Sequence, residues 1–114
     1  MPLNALSSAV SGLNAASLRV QTAGNNIANA RSVGRPDATE RSEQAFQAQE
    51  VVQTSLQSGG TTAEVVTRDP GGQLAFDPSS PLANDEGLVE TPNVEISQEF
   101  STLIQAEASY KASL

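Results

Sequence analysis

Apolar and small residues recur along the first thirty positions at alternating spacings of three and four. This alternation is the seam pattern of a coiled-coil helix. It predicts one long helix from Leu3 to Ala30, which at about 1.5 Å per residue would be roughly 40 Å long. The first seam position is occupied by Leu3, Val10, Ser17 and Gly24, and the second by Leu6, Leu13, Val20 and Ile27.

The same helix carries small residues beside its seam. Alanine occupies the position before the seam at Ala9, Ala16 and Ala23, and Ala30 follows one heptad later. Small side chains there allow a partner helix to come close. Only one charged residue, Arg19, occurs among the first thirty, whereas the solvated face of a helix is normally charged. We therefore expect this helix to be covered on more than one side.

Composition narrows the class of protein. With 114 residues, 38% of them hydrophobic and 4% aromatic, the chain can form one small domain with a thin core. A net charge of −7 argues against binding to nucleic acid or to anionic membranes. The absence of cysteine and histidine removes disulfides, thiol chemistry and the commonest general base.

The chain also lacks the sequence signals of membrane insertion and of a cleaved secretion signal. No apolar run approaches the roughly 20 residues that span a bilayer, so we expect no direct membrane insertion. The N-terminus has no basic segment before an apolar core, unlike a secretory signal peptide. If the protein leaves the cytoplasm, it should use a route that leaves its N-terminus uncleaved.

The middle of the chain predicts a β-hairpin. Residues 51–56 and 61–67 have strand composition and are separated by the turn Gln57-Ser58-Gly59-Gly60. A lone hairpin is marginal in water, so this one should rest on another element. Residues 38–49 remain ambiguous, because their Glu and Gln content favours helix while their apolar spacing is poor. Residues 74–76 read as a short extended piece, and residues 77–81 as a proline-rich turn.

A second helix is predicted to open at Thr91-Pro92-Asn93, capped either by Thr91 with Pro92 in the first turn or by Asn93 directly. Its apolar residues are Ile96, Phe100, Leu103, Ile104 and Tyr110. The fold class expected is mainly α with a small β insertion, in which long terminal helices pair as a coiled coil. We expect an N-terminal axial helix (1–30), a loop and β-hairpin insertion (31–91) and a C-terminal axial helix (92–114), together one small domain.

Two motifs resemble known proteins. The segments 11–16 and 23–30 resemble the N-terminal motif of the bacterial flagellar axial family, which comprises rod, hook and hook-associated proteins. The segment 76–89 followed by Pro92-Asn93-Val94 is similar to the proximal rod proteins of the FlgC type, whereas residues 38–70 match weakly. The residues that carry this resemblance are Asn25, Asn26, Asn29, Asp77, Pro78, Gly87, Pro92 and Asn93.

The chain departs from that family pattern at three places. The loop after Asn29 reads Ser32-Val33-Gly34-Arg35-Pro36 instead of a Thr-Pro-Gly-Tyr type of motif. Phe76 stands where the family usually has tyrosine. The final helix stops at Leu114, several turns earlier than is usual in the family.

The resemblance implies an assembly protein that is exported through the flagellar type III apparatus without a cleaved signal. Such proteins stack helically in the periplasm as the drive shaft between the membrane ring and the hook. The implied partners are copies of this chain, other rod subunits, membrane-ring and rod-adaptor proteins, and the export apparatus. The expected assembly seam is Leu6, Val10, Leu13, Val20, Ile27, Ile96, Phe100, Leu103 and Tyr110. Alternatives are another axial subunit of the distal rod or hook type, or a non-flagellar, cytoplasmic helical adaptor.

Several residues have competing interpretations. Asn25, Asn26 and Asn29 could cap the first helix, bond to a neighbouring subunit, or do both. Asp77, Asp85 and Glu86 lack the ligand spacing of a calcium loop and read as solvated turn residues. The acids have no second catalytic partner, so we expect no catalytic residue, metal or cofactor. The three phenylalanines, Phe46, Phe76 and Phe100, are expected to form a small packing cluster.

Overall fold

Two long helices flank two small antiparallel sheets in the computed structural model, which describes residues 2–114 and their side chains from residue 5 onward. The predicted seam residue Leu3 therefore lies outside the described side chains. The elements are α1 (Pro2–Ala28), a 3₁₀ turn (Arg41–Glu43), β1 (Gln49–Ser55), β2 (Thr61–Thr67), β3 (Gly72–Phe76), β4 (Leu88–Pro92) and α2 (Ile96–Ser113).

The C-terminal end of helix α1 is capped by hydrogen bonds that involve Asn25 and Asn29. The Asn29 side-chain amide donates to the carbonyl oxygen of Asn25 at 2.9 Å. The backbone N–H and the hydroxyl of Ser32 then donate to the carbonyl oxygen of Asn29 at 3.0 and 2.7 Å. Carbonyls left free at the helix end are satisfied in this way, so Asn29 takes part in the cap that was one of its two interpretations.

The two helices pack side by side and run antiparallel. Asn26 of α1 contacts Glu99 near the start of α2, and Gly12 of α1 lies against Ser113 at the end of α2. The buried apolar residues of the two helices are all small, namely Ala15, Ala16, Ala23 and Ala106, each at most 2% exposed. Close approach of the neighbouring elements is possible because alanine adds so little beyond the backbone.

The large residues of the predicted seam are not buried in the contact between the helices within the subunit. Leu6 is 62% exposed, Val10 46% and Phe100 50%. Val20, Ile96 and Tyr110 are also exposed, and Leu13, Ile27 and Leu103 are partly exposed. Helix α1 instead buries a stripe that contains its small residues Ala15, Ala16 and Ala23 and that lies beside the seam. The helices pair as expected, but coiled-coil packing through this seam is not confirmed.

The predicted hairpin is confirmed, with β1 and β2 paired antiparallel from Gln49 opposite Thr67 to Ser55 opposite Thr61. It lies along α1, which explains why two strands suffice. Its turn is held to the helix by Ser11, whose hydroxyl oxygen accepts a hydrogen bond from the Thr61 backbone N–H at 3.1 Å. Gly59 and Gly60 have φ of +97° and +81°, a backbone region that glycine adopts freely.

Pairing in the second sheet explains why α2 starts later in the chain than predicted. Strand β4 pairs antiparallel with β3, so that Thr91 lies opposite Gln73 and the buried Pro92 opposite Gly72. Asn93 then donates its backbone N–H to the carbonyl oxygen of Gly71 at 3.0 Å. The prediction that Thr91-Pro92-Asn93 opens the helix is therefore wrong. These residues are held in the strand and its extension, and the helix starts only at Ile96.

Residues 38–49 form no helix apart from the 3₁₀ turn, and the chain before β1 is anchored by loop contacts. Gly34 exchanges backbone hydrogen bonds with Glu90 at 2.8 and 2.9 Å, which attaches this loop to β4. The expected phenylalanine cluster is wrong, because Phe76 is 74% exposed and Phe100 50% exposed. With these rings at the surface, the small core depends on alanines and Val89.

The subunit is elongated. Its extents are 62 × 24 × 18 Å and its radius of gyration is 17.9 Å, against about 13 Å for a compact domain of this length. Its solvent-accessible surface is 7504 Å², whereas a compact monomer of this mass exposes about 5,900 Å². Within the described residues, the helices are too short or too polar to cross a membrane.

Candidate assembly surface

An apolar surface runs along one side of the helix pair. We define this outer helical face by Leu6, Val10 and Val20 of α1 with Leu103 and Tyr110 of α2. The α1 residues share one stripe because they follow the heptad spacing. Val20, Leu103 and Tyr110 line one groove between the helices, together with Ser17 and Glu107. At this groove the predicted seam residues Val20, Leu103 and Tyr110 therefore lie side by side at the surface.

The outer helical face continues along α1 where this helix extends beyond α2. Gly12 lies against Ser113, so the ten residues from Pro2 to Ser11 project past the end of the second helix. The hairpin turn covers this projection on one side, where Gly59 and Gly60 approach Ser8 and Ser11. The side chains of Leu6, Val10 and Leu114 remain exposed there, with Leu114 at 82%.

A buried polar cluster fixes the opposite end of the helix pair to the hairpin. Asn26, which is 1% exposed, donates its amide to the Gln49 carbonyl at 2.8 Å and to the Glu99 carboxylate. Its side-chain oxygen accepts a hydrogen bond from the Gln49 backbone N–H at 3.0 Å. One amide therefore joins α1, β1 and α2, which gives Asn26 a role inside the subunit.

Arg68 completes this polar cluster. Its guanidinium lies 3.4 Å from the carboxylate of Glu99, whose side chain is 4% exposed. It also donates hydrogen bonds to the carbonyl oxygens of Asn93 at 2.8 Å and Gln49 at 3.3 Å. The Asn93 side-chain amide reaches the Pro70 carbonyl at 2.9 Å. Among the described side chains, every buried nitrogen and oxygen has a hydrogen-bond partner, so the cluster is a satisfied structural joint.

The second family motif forms an ordered turn away from the helices. The Asp77 backbone N–H donates to the Gly87 carbonyl at 2.9 Å, and its carboxylate accepts from the Ser79 hydroxyl at 2.8 Å. Gly87 has φ of +78°, and an added Cβ would lie 3.0 Å from the Phe76 ring and 3.1 Å from Pro78. Asp77 and Gly87 thus have turn-forming contacts that explain these residue types.

Arg35 attaches this turn to the rest of the chain. Its guanidinium donates to Glu43 at 2.6 Å and to the carbonyl oxygens of Ala83 and Pro81 at 3.3 and 3.2 Å. The acids of the turn, Asp85 and Glu86, are exposed. Within residues 2–114, no group of three or more acidic side chains is arranged to hold a metal ion.

The structural contacts of Arg35, Arg68 and Glu99 were not predicted from the sequence. A signal existed for Glu99, because it lies seven residues before Ala106 and therefore on the same helical face as the small buried residues. An acid on a buried face needs a cationic or hydrogen-bonding partner. The partners lie far along the chain, in α1 and just after β2, and the sequence does not identify them.

Comparison with known proteins places these features in a family. Residues 6–34 match the family model described as flagella basal body rod protein. The chain is 36% identical over 118 residues to the flagellar basal-body rod protein FlgC of Yersinia enterocolitica, covering 98% of this chain and 84% of that protein. It is 35% identical to FlgC of Escherichia coli O157:H7, with the same coverage of both chains. It is 34% identical over 113 residues to FlgC of Aquifex aeolicus, covering 97% of this chain and 83% of that one. The chain belongs to the FlgC family of flagellar basal-body rod proteins.

Proposed function

We propose that this chain is a structural subunit of the proximal rod and polymerises helically through its terminal helices. The rod so formed transmits rotation between the membrane ring and the hook. The single observation that carries the polymerisation step is the outer helical face, where Leu6, Val10 and Tyr110 are exposed on an almost uncharged pair of helices. Contiguous apolar surface of this kind marks an interaction site in a protein of this size.

The surface area supports the same proposal. The chain exposes 7504 Å², about a quarter more than the roughly 5,900 Å² of a compact monomer of equal mass. Packing of neighbouring subunits would remove much of this excess, since stable interfaces bury about 800 Å² on each partner. An elongated subunit 62 Å long can meet several neighbours along its length.

We assign a separate role to each of the three segments of the chain. The segments 1–30 and 92–114 supply the axial helices, while the insertion 31–91 braces them as part of the same small domain. The polar cluster of Asn26, Arg68 and Glu99 holds the two parts together. The proposed role is assembly into a structure, which agrees with the family of structural rod proteins to which the chain belongs.

The proposed location is the flagellar basal body, in the rod as it crosses the periplasmic space. The chain would reach it through the flagellar type III export apparatus, with its N-terminal helix retained. Its neighbours there would be copies of itself and other rod subunits, with membrane-ring and rod-adaptor proteins at the base. The Asn25 side chain, exposed at the end of α1, is available for bonds to such neighbours.

The test is complementation of a strain that lacks its own copy of this gene. Basal bodies purified from cells carrying an epitope-tagged chain should contain the tag, and the cells should swim. A matched strain without the type III export motor should retain the tag in the cytoplasm. A tag that stays out of basal bodies in motile cells would refute the proposal.

A further inference from the structure

The outer edge of strand β1 is occupied at its first residue and open beyond it. The Gln49 N–H and carbonyl both bond to the side chain of Asn26, so they point away from β2. Because backbone groups alternate in direction along an antiparallel strand, those of Val51, Gln53 and Ser55 point to the same side as those of Gln49. Among the described residues, these outward N–H and C=O groups have no hydrogen-bond partner. Strand β1 therefore presents three residues that are free to pair with another strand.

This open edge has none of the features by which proteins block pairing between strands. Proline, lysine and β-bulges serve that purpose on exposed edges. Residues 51–63 contain neither proline nor any charged residue, and β1 pairs with β2 without a bulge from Gln49 to Ser55. Beside the edge, Val52 is 49% exposed and Leu56 43%. The edge is therefore suited to pairing with another strand.

The sequence of β1 is complementary to itself about Gln53. When two copies of β1 lie antiparallel with Gln53 opposite Gln53, Val51 of each strand lies opposite Ser55 of the other. All three outward residues are then used, and the two strands exchange about six backbone hydrogen bonds. Glu50, the only charged residue of β1, lies opposite Leu56 rather than opposite a second Glu50. Two chains that each carry a net charge of −7 can therefore pair here without placing carboxylates directly opposite one another.

We propose that two copies of the free chain form a two-fold dimer through their β1 strands, centred on Gln53, with a continuous sheet in the order β2-β1-β1-β2. The contact joins the same surface of both copies, so it closes after two chains. It is separate from the outer helical face and does not depend on the proposed function. Because only three residues of each strand supply the hydrogen bonds, the contact is at the small end of interfaces and the dimer exchanges with the monomer. Pairing occupies an edge that would otherwise favour uncontrolled association.

A single cysteine tests the symmetry of the pairing, since the chain has none of its own. In the proposed register the two Gln53 Cα atoms lie about 5.5 Å apart, within the range of a disulfide. Purified Gln53→Cys should therefore form a covalent dimer under mild oxidation. Val51→Cys is the matched control, because its counterpart in the other copy lies four residues away along the strand, roughly 14 Å. It should stay monomeric alone and crosslink when mixed with Ser55→Cys.

Proline at position 53 tests whether backbone hydrogen bonds hold the dimer. Gln53→Pro removes an N–H that points away from β2, so the hairpin and the circular dichroism of the chain should persist. The mass of the unchanged chain in sedimentation should rise toward that of a dimer with concentration, and Gln53→Pro should shift this rise to a concentration about tenfold higher or more. Val65→Pro is the matched control, because Val65 lies opposite Val51 and its N–H points to the other edge of the hairpin. It should dimerise like the unchanged chain.

Residue-resolved hydrogen exchange tests the same pairing without any substitution. From dilute to concentrated solution, the amides of Val51, Gln53 and Ser55 should slow by about tenfold or more, whereas those of Val65 and Thr67 on the other edge should not. The inference is wrong if Gln53→Cys does not crosslink to itself, or if these three amides exchange at a rate independent of concentration. The rod could still form in that case, because its proposed contacts use the outer helical face.

Discussion

The side-chain amide of Asn26 donates a hydrogen bond to the carboxylate of Glu99, and both residues are almost completely buried. This contact joins the end of α1 to the start of α2. Because Asn26 also bonds to the backbone of Gln49 in both directions, the hairpin is fixed at the same point. The joint positions the two helices so that their large apolar residues point outward.

The polar cluster predicts that substitutions of two adjacent asparagines change the free energy of unfolding by very different amounts. Asn26→Ala should lower the free energy of unfolding by about 2–3 kcal/mol, because it leaves the Gln49 backbone groups and the Glu99 carboxylate without partners in a buried site. Asn25→Ala, at an exposed position, should change it by less than about 0.5 kcal/mol. Urea unfolding of the purified chain measures both values. If Asn26→Ala lowered the free energy of unfolding as little as Asn25→Ala, the hydrogen bonds of Asn26 would not stabilise the chain.

The outer helical face predicts loss of assembly without loss of the fold. Leu6→Asp should barely change the stability of the free subunit, since Leu6 is 62% exposed. In the assembled rod it would place an unpaired carboxylate in an apolar contact, at a cost of several kcal/mol. Motility and recovery of the chain in basal bodies should both fall, while export continues.

Leu74→Asp is the control for Leu6→Asp, because Leu74 is 60% exposed but lies on the β3–β4 sheet away from the helices. Cells that carry it should remain motile. If Leu6→Asp and Leu74→Asp changed motility and recovery in basal bodies equally, the outer helical face would not be the subunit interface.

The antiparallel register predicts a specific disulfide in a chain that has no cysteine of its own. A Cβ built on Gly12 lies 3.8 Å from the Ser113 Cβ, which is the usual separation in a disulfide. Gly12→Cys with Ser113→Cys should therefore crosslink within one subunit under mild oxidation. The measurement is a mobility shift on non-reducing gels at low protein concentration.

Leu13→Cys with Leu103→Cys provides the comparison for that crosslink. In this register Leu13 lies beside the end of α2, whereas Leu103 lies several residues further from that end. This pair should crosslink only between subunits, as dimers or larger species in assembled rods. An efficient crosslink within the monomer would show that the helices pair in another register.

Two glycines should respond in opposite directions to the same substitution. A Cβ on Gly34 would overlap the backbone nitrogen of Ala45, so Gly34→Ala should force the loop off β4 and destabilise the chain by about 3 kcal/mol or more. An added Cβ on Gly24, within α1, would meet nothing within 4 Å among the described atoms. Gly24→Ala should stabilise the free subunit by about 0.5–1 kcal/mol. Thermal unfolding of the two variants checks the contrast.

The projecting part of α1 predicts a gradient of hydrogen exchange. Residues 2–11 extend beyond α2 and have one side covered by the hairpin turn, so their amides should exchange faster than those of residues 15–26 in the free subunit. Assembly should slow exchange in residues 2–11 most. Equal protection along α1 in dilute solution would show that its first turns need no neighbour.

Local patterns in the sequence were sufficient to predict several elements. The heptad spacing of α1, the strand composition on both sides of Gly59-Gly60 and the asparagines on either side of Ile27 each depend on neighbours within a few residues. The family motif was also readable, because its order of residue types is specific. These features form in the structure close to the predicted positions.

Contacts between distant residues decided the rest. Pro92 reads as a helix opener, yet pairing with Gly72 holds it in β4 and moves the start of α2 to Ile96. The periodicity of Leu6, Leu13 and Val20 predicts an apolar face but does not say what covers it. Because the Asn26–Glu99 joint and the close fit at the alanines are more favourable within one chain, the small-residue side turns inward. The large residues are thereby left at the surface of the subunit, where the proposed assembly contacts would bury them.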